Sequence, residues 1–514
     1  MPDIIVVVIN MTMKKRRSDK QNEVILLTME DVVPSDHIVR KMERHLDLTF
    51  VYKEVKHLYS KVGNHSIDPV VFFKILLIRY MFGIKSMRET MRQIEVNVAY
   101  RWYLDIPFSD PIPHHSTISK TYYRKFKDSD IFEKIFTHIL ELAERNGYVD
   151  YEEVFVDATH IKAYANKKKF NEVQKLVSTV IKTELNEEVN QLRKKLGKKP
   201  IELDDFVESQ ENETSVSDDD SDEGSGFSSS GQGKKVIKVE TKRVKQSLND
   251  PEAGYYYRDE KEKGFMYQDH RMVCGKHNFI VGSVLLSGNI HDSKALQSLM
   301  NQVEGKFKKN FKSIALDSGY HSLEIMHTLS EKNKYSVIAY RRFGKKSKDG
   351  SFYDKEQDWF VCQEGCVFPL KNVDKSGYKQ YFDSQNCASC PTRCYAKSET
   401  KKVFRRHLWA DKQEENRERR ISEKGRLLYK KRSETIERSF ADSKQNHGLR
   451  WTNYKGKKTN QHYNWMLCSA QNLKKLCKLK SIEYADSIKE VEELSFLSLI
   501  QQFFTWNTLI FNYS

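Results

Sequence analysis

Two short apolar runs, each ending in an aspartate, set the strongest limit on the fold. Val154-Phe155-Val156 leads into Asp157, and Ile314-Ala315-Leu316 leads into Asp317. Each run is too short for a buried helix and is bounded by polar residues, so each reads as a strand inside a sheet. A carboxylate at such a point is held by the sheet yet faces the crevice at a strand end, where open α/β sheets bind ligands. Two further runs, 270–274 and 278–286, are separated by Gly275-Lys276-His277 and predict a hairpin, and 335–340 predicts another strand. Strands followed by helices in this order imply a mixed α/β domain with one central sheet.

The chain ahead of these strands reads differently. After a basic arm over residues 1–30, with Lys14-Lys15-Arg16-Arg17, residues 31–148 are expected to be all helical. Asp68 as N-cap and Pro69 at the first helical position open an apolar helix from Val70 to Phe82 that stops at Gly83. Ser86 and Glu89 form the sequence pattern of a capping box and open a second helix, Met87 to Ile94. Two helices joined by so tight a turn suggest a helix-turn-helix unit. A third helix near Ser116 carries Lys120, Arg124 and Lys125 among Tyr122 and Tyr123, a mixture suited to phosphate contacts.

Charge narrows the class of partner. Lys and Arg number 87 against 71 Asp and Glu, a net +16, and such a chain prefers polyanions. Within that basic whole, residues 202–223 hold eleven acids and no Lys or Arg. Residues 201–249 are therefore expected to be a disordered acidic and Ser-rich insert, unable to offset its ordering entropy by burial. A Lys- and Glu-rich helix is expected just before it, from Lys167 to Leu196, and a long charged helix later, from Glu414 to His447. Eight cysteines and a mean hydropathy of −0.69 argue against secretion and membrane insertion. The expected location is cytoplasmic, on the nucleoid. The uncharged stretch 494–514 is diluted by Ser, Gln and Asn, so residues 481–514 are expected to form a packing helix.

On the late helix, Glu437 and Lys444 stand seven residues apart, about two turns, and share a face. Asp157, Asp317 and Glu437 each have an ordinary reading as turn former, cap or ion-pair partner. Asp292, in Gly288-Asn289-Ile290-His291-Asp292-Ser293, is a rival for any metal role.

The sequence around these acids is more specific, because it resembles the DDE transposases of bacterial insertion sequences. Four blocks carry the resemblance: Phe155 to Lys162 (FVDATHIK), Gly288 to Ser293 (GNIHDS), Ala315 to Ser322 (ALDSGYHS) and Tyr429 to Lys444 (YKKRSETIERSFADSK). The last is similar to the family's Tyr, Arg, Glu, Lys signature, with Arg432 one residue further from the Glu than in some relatives. The likeness spans about 31–476, leaving the acidic insert and both tails outside.

The resemblance implies an RNase H-like catalytic core, a mixed five-stranded sheet flanked by helices, preceded by the helix-turn-helix domain. The core would occupy 149–200 and 250–345, with its last helices at 411–480 and a Cys-rich insert at 346–410. It implies Asp157, Asp317 and Glu437 as the catalytic triad, binding two Mg²⁺ ions for which Mn²⁺ can substitute. Paired divalent ions about 3.5–4 Å apart activate the attacking oxygen and stabilise the leaving one in phosphodiester chemistry. Arg432, Arg438 and Lys444 would hold phosphate, as would Lys120, Arg124 and Lys125. The implied partners are double-stranded DNA, both the element's terminal inverted repeats and its target, and a second copy in a synaptic homodimer. A nuclease on the same fold without strand transfer, or a DNA-binding derivative without catalysis, are the alternatives.

Cys362, Cys366, Cys387, Cys390 and Cys394 cluster within the late insert. Close pairs of this kind read as structural Zn²⁺ ligands in a reducing compartment. Five thiols compete for four positions. The family pattern fits Cys362, Cys387, Cys390 and Cys394 best, with Cys366 as the substitute.

Overall fold

The computed structural model describes residues 27–60, 62–63, 66–176, 183–201, 241–259, 262–339, 350–383 and 401–511. The chain divides into two units, Met1–Ile131 with Leu476–Ser514, and Phe132–Lys475. Among the described residues no helix is long and apolar enough to cross a membrane.

The described part of the first unit is helical. Asp68 accepts from the N–H groups of Val70 and Val71 at 2.7 and 3.0 Å, and Pro69 begins the helix Pro69–Met81. A proline there forfeits only a donor that no intrahelical carbonyl could have used. Phe72, Phe73, Ile75, Leu76, Leu77 and Ile78 are fully buried, so this helix is apolar on every side and forms the centre of its unit. The Phe126 ring lies 4.8 Å from that of Phe72 and 5.2 Å from that of Phe73. Ser86 accepts from Glu89 N–H at 3.2 Å and opens Met87–Val96. The helix expected near Ser116 runs His115–Thr121 and continues as a π turn, Tyr122–Phe126.

The second unit is built on a sheet of six strands. In chain order the strands of this unit begin with β1 (Glu153–Lys162), β2 (Phe170–Leu176), β3 (Thr241–Ser247) and β4 (Gly254–Tyr257). They continue with β5 (Lys263–Cys274), β6 (Ile280–Ser287), β7 (Ser313–Leu316) and β8 (Tyr335–Ile338). β5 pairs antiparallel with β1 on one edge and with β6 and β4 on the other. β1 pairs parallel with β7, and β7 parallel with β8. The outer edges are closed by side-chain amides instead of further strands. Asn472 bonds both the N–H and the C=O of Ile280, at 2.9 and 2.8 Å, and Gln461 bonds Leu285 N–H and Ser283 C=O at 2.6 and 3.3 Å. On β8, Asn416 does the same for Ile338, at 2.9 and 3.1 Å. Backbone groups left unpaired in a buried edge would be costly, and these amides satisfy them.

Four expectations are corrected. The helix expected over 167–196 is in part strand: β2 pairs in full with β3, and only Thr183–Lys195 is helical. Phe170, Val173 and Leu176 recur every third position, a spacing that does not mark a strand, and the distant partner decides. The same pairing takes 241–247 out of the expected disordered insert, whose residues 202–240 lie outside the described residues. The Cys-rich region holds a second sheet of β9 (Phe352–Asp354), β10 (Trp359–Val361), β11 (Val367–Val373), β12 (Tyr378–Tyr381) and β13 (Phe404–His407). These are antiparallel neighbours in the order β13-β12-β11-β10-β9, around buried Phe368, Tyr381 and Phe404. The long helix expected over 414–447 is broken at Ser422, which caps Glu423–Arg432 by accepting from Gly425 N–H at 3.1 Å. A π turn, Ser433–Glu437, and a last α segment, Arg438–Asn446, follow without interruption. The tail expected at 481–514 continues the helix Lys457–Phe511.

Candidate active site

The two aspartates arrive on neighbouring parallel strands. Val156 is the register partner of Leu316, and Asp157 and Asp317 are the next residues of each strand path. β7 ends there, and Asp317 opens the short helical turn Ser318–Tyr320. β1 runs on, with Asp157 opposite Arg271 of β5. Glu437 comes from the π turn, which packs against β1 and β5. A π turn carries one extra residue and rotates the side chains that follow it, and such turns recur at functional sites.

Arg432 stands among these acids. Its guanidinium lies 2.6 Å from Asp157 Oδ2 and donates to Glu437 Oε1 at 3.1 Å. Its side chain is only 8% exposed, while that of Glu437 is 53% exposed, so the cluster opens toward solvent on the glutamate side. Burial opposes the charge on Arg432, but Asp157, Asp317, Tyr429 and Glu437 together hold it firmly protonated. Asp157 behaves in the opposite way. Desolvation raises its carboxyl to about 6, Arg432 and the Ala158 N–H (2.8 Å) draw it down, and Asp317 and Glu437 push it up again. Burial thus outweighs the guanidinium at Asp157, with the neighbouring acids adding to it.

Asp292 flanks the same turn. It accepts from Gln268 Nε2 at 3.1 Å, and a Cβ on Gly319 would lie 2.3 Å from its Oδ2. A side chain at 319 would have to displace the Asp292 carboxylate from beside the turn after Asp317. Tyr320, next in sequence, is fully buried, and its hydroxyl contacts His270 Nδ1 at 2.9 Å. Burial first, then Asp292 and Asp157, raise the Tyr320 phenol well above its ordinary value.

The expected phosphate-holding cations divide. Arg438 is exposed beside Glu437. Lys444 is half-buried, and burial, then Arg450, lowers its ammonium while Asp157 favours it. Arg432 is turned inward onto the acids. In the helical unit Lys120 and Arg124 are exposed. Lys125 is committed elsewhere, bonding Leu58 C=O at 3.1 Å with its ammonium 3.9 Å over the Tyr59 ring. The sequence did not point to the inward Arg432, although its place in the Tyr-Arg-Glu-Lys signature was the available signal.

Among the described residues no group of three or more His, Cys, Asp or Glu is disposed to hold a metal ion. At the acid cluster Arg432 bridges the carboxylates instead. The donor chemistry nevertheless suits a hard divalent cation, since all three acids offer oxygen and their charge exceeds that of their one arginine. Of the cysteines, Cys362 and Cys366 sit in the β10–β11 turn, where Cys362 N–H donates to Cys366 C=O at 3.0 Å. Both pack against the aromatic cluster of the second sheet. Cys387, Cys390 and Cys394 lie outside the described residues.

Comparison with known proteins assigns the class. Residues 27–124 match the family model "Transposase domain (DUF772)", and residues 361–477, which include Arg432, Glu437 and Lys444, match "Transposase DDE domain". Two separate segments of the chain thus match transposase family models. Together they support an insertion-sequence DDE transposase. No curated protein matches the chain. Among solved structures it is similar to a piggyBac transposase synaptic complex with hairpin DNA, at 8% identity and a TM-score of 0.31, covering 86% of this chain and 74% of that one. A likeness so remote adds nothing to the assignment.

Proposed function

We propose that this transposase cleaves DNA at the terminal inverted repeats of an insertion sequence and joins the freed 3′ end to target DNA. The observation that carries the reading is the meeting of Asp157, Asp317 and Glu437 around Arg432, beside the ends of two parallel strands. The strand order β4-β5-β1-β7-β8, with β6 also paired to β5 and β1 antiparallel to β5 and parallel to β7, is one strand more than the five expected and supports an RNase H-like core.

Asp157, Asp317 and Glu437 would hold divalent magnesium, or manganese in its place. When bound, that ion supplies Lewis-acid activation of the attacking oxygen and charge stabilisation of the leaving one. Arg432 fixes the Asp157 and Glu437 carboxylates relative to each other. Exposed Arg438 and half-buried Lys444 would hold backbone phosphates of the bound DNA. In the helical unit, Pro69–Met81 and Met87–Val96 would serve as the helix-turn-helix pair, and His115–Thr121 with the turn that follows it would bring Lys120 and Arg124 toward the DNA backbone. Two copies on paired element ends form the synaptic complex.

The test is incubation of the protein and Mg²⁺ with a duplex carrying the element boundary, followed by mapping of nicks and joined products. Cleavage at the boundary with joined products supports the reading. Cleavage without joining would reassign the chain as a nuclease, and boundary cleavage by Asp157→Ala, Asp317→Ala or Glu437→Gln at the wild-type rate would remove that residue from the site.

A further inference from the structure

Behind the acid cluster, the molecule buries a charge pair that the chemistry described above leaves unused. Asp269 and Arg271 stand two residues apart on β5, and both side chains are fully buried, with Arg271 Nε 2.6 Å from Asp269 Oδ2. Taking two charges out of water costs several kcal/mol each, so a fold that retains such a pair gains little stability from it. What the pair touches suggests its use. Arg271 is the register partner of Asp157 across β1 and β5. Its Nη1 donates to Ser443 Oγ at 2.7 Å and to Gln471 Oε1 at 3.3 Å, and its guanidinium lies 5.0 Å from the Phe440 ring centroid. Ser443 and Phe440 belong to Arg438–Asn446, the segment that continues directly from Glu437. Gln471 in turn donates to Ser439 C=O at 2.9 Å. Asp269 is fixed from the other side, accepting from Ser283 Oγ and Asn464 Nδ2, both at 2.8 Å.

We propose that Asp269 and Arg271 are a positioning pair that sets where Glu437 stands relative to Asp157. The inference rests on the reading of Glu437 and Asp157 as partners in one active site. Arg271 is bound by its backbone to the strand of Asp157 and by its guanidinium to the helix of Glu437. It therefore fixes two acid-bearing elements in one frame, and the forked, planar guanidinium gives that frame a direction a lysine could not supply. Gln471 and Ser443 take up Arg271 Nη1, and Asn464 and Ser283 take up Asp269 Oδ1, while Arg271 Nη2 and Asn464 Oδ1 stay buried without a hydrogen-bond partner, so the pair is held by these bonds and by close packing together.

The experiment compares wild type, Asp269→Leu/Arg271→Met, Ser443→Ala and Ser443→Thr on the same boundary duplex. It reads melting temperature, DNA affinity, kcat and KM separately. The double variant replaces the whole pair by apolar groups of similar volume, which proteins commonly tolerate without loss of stability. The expected result is unchanged melting and DNA affinity, with kcat for strand cleavage reduced about 100-fold and KM unaltered, as for a misplacement of about 1 Å at a reacting centre. Ser443→Ala, which cuts only the link to the Glu437 segment, should lower kcat in the same direction, and Ser443→Thr, which keeps the hydroxyl, should restore it. If the double variant does not fold, the two Ser443 variants decide the question. Wild-type kcat in Ser443→Ala, or kcat, melting and DNA affinity falling together in every variant, overturns the proposal. Asp157→Ala is run alongside: if it too cleaves at the wild-type rate, the reading of the site has failed and not merely the inference about its support.

Discussion

Asp157 and Asp358 are the same residue type, both partly buried, both beside a cation, and they are driven in opposite directions. In the second sheet, burial pushes Asp358 up, but the hydroxyls of Tyr381 (2.5 Å) and Tyr353 (2.7 Å) and the Lys379 ammonium (3.0 Å) outweigh it and hold the carboxyl below its ordinary value. Asp157 has one arginine and one backbone N–H against desolvation and two acid neighbours, and is raised to about 6. A carboxylate with its bonds completed locks a fold. One taken out of water with too few partners to offset the loss, and with other carboxylates beside it, is raised, the condition under which functional sites are found.

The comparison breaks most visibly on activity. Asp157→Ala should reduce strand cleavage by about 1,000-fold or more, the scale of removing one member of a cooperating catalytic set, while Asp358→Asn should leave the rate within about twofold. Stability should separate them the other way. Asp358→Asn leaves two phenols and an ammonium facing a neutral amide and should cost about 2 kcal/mol in denaturant unfolding. The pH dependence sharpens the contrast. Between about pH 4 and 6 the native metal-free protein holds the Asp157 proton that the unfolded chain has lost, so this group makes stability fall as pH rises through that window. Asp157→Asn should remove that slope. Arg432→Met, by removing the charge that draws Asp157 down, should move the window upward, a shift visible in the carboxyl NMR titration. Asp358 has the reverse sign, contributing stability above the unfolded carboxyl value near 3.9 and losing it as pH falls through its lowered folded value. The smallest effect is expected from Tyr353→Phe, which takes one of the two phenols from Asp358 and should cost about 1 kcal/mol with no change in cleavage.

How much could be read in advance follows from the range of the interactions. Local signals carried well: the Asp68-Pro69 start, the Ser86 cap, the Gly275-Lys276-His277 turn and the apolar runs into Asp157 and Asp317 all depend on residues within a few positions. What failed depends on partners far along the chain. Phe170–Leu176 is a strand because Thr241–Ser247 lies beside it, and β9–β13 are short runs whose aromatic core exists only once they are assembled. The acids themselves were marked by their strand ends and by the resemblance of the blocks around them. The inward turn of Arg432 was not, since a π turn changes which side chains share a face and the straight helix expected over 414–447 contains no such rotation. The buried Asp269–Arg271 pair was invisible for a related reason: charged residues in a run such as Gln268-Asp269-His270-Arg271 give no apolar pattern to mark a buried strand.

The amide-closed margins of the main sheet bear on how copies of this protein can associate. Asn472 and Gln461 along β6, and Asn416 on β8, already answer the main-chain groups that a foreign strand would seek. Recruitment of a second molecule by β-augmentation at those positions is thereby foreclosed.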